Sequence, residues 1–262
     1  MTYEAPKVVA HNTHECSTPQ PAHSVLPRLP MRAIALGPSG SGKTVFIQSL
    51  IVDLMRTRGG GSVFLHIYAW SPSIHMDPVW QTVKDFARKV LKQNEEECFF
   101  EEFNPADLQG VIDKQQKLIE TLKARGTRTL PNILIVLDDI ADNEQIARRE
   151  VLLHQLFFLA RHAKISTLIA TQKYRALAPQ IRTQALSFFV FKLRSQQELD
   201  AYWTKCPPSV VASSWTPTTA RLRRSRTRSC TYAWTSPSRS FSSGSTFCWS
   251  PNPLGEYCDT DL

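Results

Sequence analysis

At 262 residues the chain can hold one α/β domain with a substantial core, plus tails. It has no run approaching the ~18 consecutive apolar residues of a membrane span, and its six cysteines lack metal-ligand spacing and are not expected to form a disulfide framework inside a cell. The net charge of +8 suits a polyanionic partner, although half of that excess lies in the last 60 residues.

The segment from Met1 to Pro30 is polar and studded with proline (Pro6, Pro19, Pro21, Pro27, Pro30). It lacks the apolar stretch of a signal peptide, so an intracellular site is expected, with residues 1–30 laid over the domain as an irregular arm. Arg32-Ala-Ile-Ala-Leu36 then reads as a short buried strand. It runs into Gly37-Pro38-Ser39-Gly40-Ser41-Gly42-Lys43-Thr44, the phosphate-cradling pattern G-x-x-x-x-G-K-[ST]. Val45, Phe46, Ile47, Leu50, Ile51 and Leu54 follow at helical spacing. Strand, glycine turn and helix in that order predict a nucleoside triphosphate site, because the glycines let successive backbone N–H groups converge on phosphate oxygens at a helix N-terminus. Lys43 is expected to reach the β- and γ-phosphates of ATP, and the Thr44 hydroxyl to hold Mg²⁺.

Downstream, strand and helix patterns alternate, which predicts a mainly parallel sheet flanked by helices. Ser62 to Ala69 is a second strand, ended by Ser71-Pro72. Asp77 to Leu91 has a helical period, with Val79, Trp80, Val83, Phe86, Ala87 and Val90 on one side. Cys98-Phe-Phe100 suits a short edge strand, and Asn104-Pro105 opens a long helix to about Lys123 with Leu108, Val111, Ile112, Gln115 and Leu118 as its stripe.

Asn132-Ile-Leu-Ile-Val-Leu-Asp138-Asp139 is a strand buried on both faces that ends in two carboxylates. At the C-terminal end of such a strand they lie beside the phosphate loop, in the crevice where open α/β sheets bind ligands. Asp138 is the expected Mg²⁺-organising acid. Asp139 is expected to orient or deprotonate the attacking water, which requires the strand to end there, since adjacent strand residues point to opposite faces. A helix over 146–162 (Val151, Leu152, Gln155, Leu156, Leu159) precedes a central strand, Ile165 to Gln172, whose terminal Gln172 can bond the γ-phosphate or the water. The long segment between the two nucleotide motifs leaves room for an added strand between their strands. Leu186 to Lys192 closes the readable sheet.

The series GPSGSGKT, IYAWSPSIHMDPVW, LIVLDDIAD, LARHAKISTLIATQ and APQIRTQA resembles the poxvirus-type genome-packaging ATPases of large DNA viruses and virophages, members of the FtsK–HerA superfamily of P-loop NTPases. The resemblance runs from about Leu29 to Ala201, and the double-Asp strand followed by Arg-His, Ile-Ser and Thr-Gln is its most specific part. It implies a RecA-like fold with an extra central strand over 31–202, and a homo-oligomeric ring that hydrolyses ATP to drive double-stranded DNA into a capsid. The partners implied are duplex DNA and viral capsid proteins, at the assembly site in an infected cell or in the virion. Lys43 and Thr44 carry over as nucleotide and Mg²⁺ ligands, Asp138 and Asp139 as the acidic pair, and Gln172 as the sensor. Arg161 and Arg182 stand in matching segments for an arginine acting at a neighbouring subunit, with a helix-end salt bridge as the alternative for each. Arg148 and Arg149 read as solvated charges, and Trp70 and Trp80 as core or rim residues. A small-substrate P-loop enzyme such as a nucleotide kinase is the rival activity, although no arginine-rich lid is visible. A nucleotide-binding relic without turnover is a second rival.

From about Trp203 the character changes: residues 203–262 are rich in Ser and Thr, hold four of the six Trp and lack Ile. A basic arm built on Arg221 to Arg228 is one reading. The genetic code offers another. Trp-Thr pairs at 203–204, 215–216 and 234–235 become Leu, Met or Val followed by Asp when read one nucleotide earlier. The same shift over Arg226 to Thr235 allows a strand resembling the family's C-terminal one. A slipped reading frame near 199–206 is therefore expected, with a poorly structured tail over 203–262.

Overall fold

Runs rich in β-branched and aromatic residues form most of the strands, whereas β1 is alanine-rich and β7 is Leu-Arg-Arg: β1 (Arg32–Leu36), β2 (Phe64–Trp70), β3 (Phe99–Phe100), β4 (Asn132–Asp138), β5 (Ile165–Thr171), β6 (Ser187–Phe191), β7 (Leu222–Arg224) and β8 (Cys230–Trp234). The computed structural model describes residues 16–139, 150–193, 196–203, 222–224 and 230–234. One sheet holds all eight strands in the order β3-β2-β4-β5-β1-β6-β8-β7. Every neighbouring pair is parallel except β7 with β8 at one end.

Helices α1 (Lys43–Ser49), α2 (Pro78–Phe86), α3 (Pro105–Ala124), α4 (Glu150–Ala163), α5 (Pro179–Gln184) and α6 (Gln196–Trp203) make up the connections. Two of them begin where a side chain satisfies a free backbone N–H. Asp77 accepts from Val79 N–H, and Asn104 from Ala106 N–H, each with proline in the first turn.

The period of two along each strand sorts the core into two layers. Ala33, Ala35, Ala69, Val136, Leu168 and Ala170 face one side, under Phe46, Ile47 and Leu50 of α1 and its continuation and Trp80 and Val83 of α2. Ile34, Leu36, Ile133, Ile135 and Leu137 face the other, against Leu108 and Ile112 of α3 and Leu156 and Phe157 of α4. Small alanines on the α1 side let that helix close on the sheet, which fixes the height of the phosphate loop above the strand ends. Phe46 then packs on Phe189 with ring centroids 4.5 Å apart.

The expected helix over 77–91 is α2 plus a π-helical turn, Ala87–Leu91. The register change in that turn leaves Val90 49% exposed, so it leaves the expected stripe. Gln155 is likewise exposed rather than on the buried face of α4, and residues 146–149 of that expected helix lie outside the described residues. An inserted central strand is present, but it does not come from the segment between the nucleotide motifs. It is β5, with Ile169 registered against Ile34 of β1 on one side and Leu137 of β4 on the other.

A further correction concerns the sheet's far side. β6 does not close it, because β8 adds in parallel with Ser187 opposite Cys230 and Phe191 opposite Trp234, and β7 pairs outside β8. These strands fall inside 203–262, the segment expected as a poorly structured tail, of which Trp203, Leu222–Arg224 and Cys230–Trp234 are the described residues. At the other terminus, the described residues 16–30 form a strap. Gln20 clamps Leu29 through both its N–H and its carbonyl, and Ser17 N–H donates to the Arg128 carbonyl at 2.8 Å.

Candidate nucleotide-binding site

Strand β1 ends at Leu36, and the chain turns through residues 37–42 into α1, whose first residues are Lys43 and Thr44. Gly40 and Gly42 have φ of +73° and +92°, a left-handed conformation that a side chain would strain. Gly37 serves a different need. A Cβ there would stand 2.6 Å from Ser41 Oγ and 2.7 Å from Phe191 Cβ, so only glycine lets the loop lie against β6. Gly37→Ala is expected to destabilise the protein by about 1–3 kcal/mol in denaturant unfolding, the usual range for overpacking. A midpoint equal to wild type would show that the loop yields without cost.

The sequence-predicted residues converge at the C-terminal ends of adjacent strands. The Lys43 side chain is buried, donates from Nζ to the Pro38 carbonyl at 3.3 Å and lies 3.7 Å from Asp139 Oδ1. Thr44 Oγ1 donates to Asp138 Oδ2 at 3.5 Å. β4 stops at Asp138, and Asp139 adopts φ +51°, anchored by its N–H on the Ala170 carbonyl at 3.0 Å. That left-handed step lets two consecutive carboxylates serve one site. Asp138 stays buried in the sheet's end, while Asp139 turns out to meet Lys43 and Gln172, whose Nε2 donates to Asp139 Oδ2 at 3.1 Å.

Burial, with the Asp139 carboxylate beside it, pushes the Asp138 carboxyl up to about 6, against the opposing pull of Lys43, Ser71 and Thr44. Asp138 Oδ1 is buried without a hydrogen-bond partner among the described residues, and so is Ser41 Oγ in the loop. An unsatisfied buried carboxylate oxygen next to a threonine hydroxyl is the donor set a hard divalent cation or its bound water takes, so the residues fit Mg²⁺.

Ser71 is the site residue that sequence reasoning missed. Only 1% exposed, it donates from Oγ to Asp138 Oδ2 at 3.2 Å, and its Oγ lies 3.1 Å from Ser73 Oγ. Read as part of a strand-ending Ser-Pro pair, it gave one available signal: a hydroxyl directly after β2, the strand beside β4.

Arg161 and Arg182 are not brought to this cluster. Arg161 is exposed in the last turn of α4, and burial, with the Arg161 charge second, lowers the pKa of Arg32 at the start of β1. That places it by the opposite edge of the sheet. The Arg182 guanidinium lies over the Tyr174 ring, 5.1 Å from its centroid. Arg148 and Arg149 lie outside the described residues, and Trp70 and Trp80 are core side chains.

A family model described as Poxvirus A32 protein matches residues 22–213. None of the curated proteins compared with the chain matches it. Among solved structures, the cytoplasmic domain of EssC superposes with a TM-score of 0.50 at 11% identity, covering 77% of this chain and 40% of that one. EssC ATPases 2 and 3 from Geobacillus thermodenitrificans give 0.49 at 14%, covering 68% of this chain and 35% of theirs. The genome packaging NTPase B204 from Sulfolobus turreted icosahedral virus 2, in complex with AMP, gives 0.44 at 14%, covering 67% and 82%. This chain thus spans well under half the length of the EssC structures. At 11% identity the likeness to the EssC cytoplasmic domain bears on the fold alone. No helix among the described residues is long and apolar enough to cross a membrane.

Proposed function

The chain belongs to the poxvirus A32 protein family, and from that premise we propose that it is an ATP-hydrolysing motor that moves double-stranded viral DNA into a capsid. The observation that carries the reading is the meeting of Lys43, Thr44, Asp138, Asp139 and Gln172 at one point on the sheet's C-terminal edge. Lys43 neutralises charge on the β- and γ-phosphates while the loop's N–H groups hold them in place. Thr44 and Asp138 would hold the magnesium ion, which when bound withdraws charge from the phosphate oxygens.

Asp139, exposed and held by Gln172, accepts a proton from the attacking water or fixes its direction. Because Gln172 directly follows β5 and leads into Tyr174 and α5, a change at Asp139 is transmitted along the chain toward Arg182. Arg161 lies away from its own phosphate loop, so a nucleotide it meets would belong to a neighbouring copy. That supports a homo-oligomeric ring in which each site is completed in trans. Capsid proteins are the proposed docking partners, at the viral assembly site of the infected cell or in the virion.

ATP turnover measured with and without long duplex DNA tests the reading, alongside Asp139→Asn. Stimulation by duplex, and a fall of about 10²–10³-fold in kcat for the variant, are expected. Turnover indifferent to DNA would point to a small-substrate P-loop enzyme. Full activity in the variant would remove Asp139 from its role.

A further inference from the structure

The edge of the sheet opposite the phosphate loop carries a charge pattern of its own. Since β2, β4, β5, β1 and β6 are parallel, their lead-in segments all emerge on that edge. Segments 16–32, 54–63, 121–132 and 161–165 contain arginine, lysine and histidine but no aspartate or glutamate. The carboxylates that precede the first three segments along the chain are Glu15, Asp53 and Glu120, the last two in helical turns just before theirs.

Backbone hydrogen bonds join these segments into one surface. Ser17 pairs with Arg128 and Leu130, and Ala22 N–H donates to the Arg56 carbonyl at 2.8 Å. Lys164 Nζ donates to the Cys16 carbonyl at 3.2 Å. Arg28, Arg58, Lys123, Arg125, Arg128 and Arg161 are exposed there. The ion pairs among the described residues use Lys43, Lys84, Arg88 and Lys89, so Arg58, Lys123, Arg125 and Arg128 have no carboxylate partner among those residues. Like charges held together without counter-charge are unfavourable for folding, and a polyanion relieves them.

We infer that this edge binds the phosphate backbone of duplex DNA, at a surface separate from the nucleotide site. The choice of duplex over another polyanion rests on the packaging reading; the charge pattern does not. The chemistry favours a nucleic-acid backbone over an acidic protein. Protein interfaces anchor on buried aromatic or aliphatic side chains, whereas none of the exposed large hydrophobic residues falls in these four segments. Backbone binding needs only spaced cations and released counterions.

The test measures anisotropy of a labelled ~30-base-pair duplex between about 50 and 200 mM salt. The edge variant carries Arg125→Glu and Arg128→Glu. A charge-matched control carries Lys114→Glu and Lys117→Glu on the exposed face of α3. The edge variant is expected to bind at least ~10-fold more weakly, with the salt slope of log K reduced by about two, while the control stays within ~3-fold of wild type. DNA-free ATP turnover should be unchanged in both. If the edge pair impairs folding in a thermal melt, Arg125→Gln with Arg128→Gln replaces it, and the slope should again fall by about two.

Equal binding by edge variant and wild type, equal losses in both variants, or no duplex binding by a wild type that hydrolyses ATP would each overturn the inference. Edge-dependent binding by a wild type without turnover would keep it and remove the motor instead.

Discussion

Lys43→Ala should reduce ATP turnover by about 10³-fold or more while leaving the fold intact, as judged by circular dichroism and thermal unfolding. Lys43 is the cation closest to the Asp138–Asp139 pair, 3.7 Å from Asp139, and it is buried in the loop rather than held at the surface. Its removal takes a full positive charge from a site where phosphate charge develops and water is scarce, so the loss exceeds that of a surface ion pair by orders of magnitude. Structurally the substitution forfeits one hydrogen bond, to the Pro38 carbonyl, and the ion pair with the half-exposed Asp139, while sparing the burial of an ammonium, so stability should change little. Turnover in the variant within ~10-fold of wild type would dismiss Lys43 as a catalytic group. A wild type with no turnover at all would favour the nucleotide-binding relic.

Much of this site was legible in the primary structure because its parts are local. The glycine turn, Lys43 and Thr44 are consecutive, and two carboxylates after five buried apolar residues locate a strand end without any tertiary information. What was hidden depends on which strands lie side by side. Ser71 touches Asp138 only because β2 neighbours β4, a pairing that 61 residues of intervening chain do not announce (Trp70 and Leu137 are in register). Strand β5 intrudes between β1 and β4 although it follows both in sequence, so the reading found the added strand but drew it from the wrong segment.

Val90 failed for a local reason: one π-helical turn shifts the register by a residue and carries a helical stripe off the core. Strands β7 and β8 were missed because their segment shows no periodicity of its own. β8 occurs within Arg226 to Thr235, the stretch where the shifted frame allows a strand, and it takes its place by pairing with β6.

Asp138→Asn should separate function from stability in opposite directions. Burial first, and the Asp139 carboxylate second, push the carboxyl up to about 6 in the fold, well above the ordinary carboxylate range. A raised carboxylate pKa means the folded state binds the proton more tightly than the unfolded chain does. The cost of ionising Asp138 is therefore absent below about pH 4, grows as pH rises toward 6 and is complete above it. Asparagine removes that charge in the same volume, and the Thr44 and Ser71 hydroxyls can rotate to meet an amide.

In metal-free protein at pH 7.5 the variant should be more stable by roughly 1–3 kcal/mol, a rise of several degrees in Tm. The gain should vanish at about pH 4. Turnover should fall by at least about 10²-fold, since the buried oxygen available to the cation is lost. Added magnesium nucleotide should raise the wild-type Tm and leave the variant almost unmoved, because only a ligand that binds the native state shifts the unfolding equilibrium. A variant less stable than wild type at pH 7.5, yet equally stabilised by magnesium nucleotide, would mean that Asp138 is held by its hydroxyl contacts as a structural residue and that the cation is organised elsewhere.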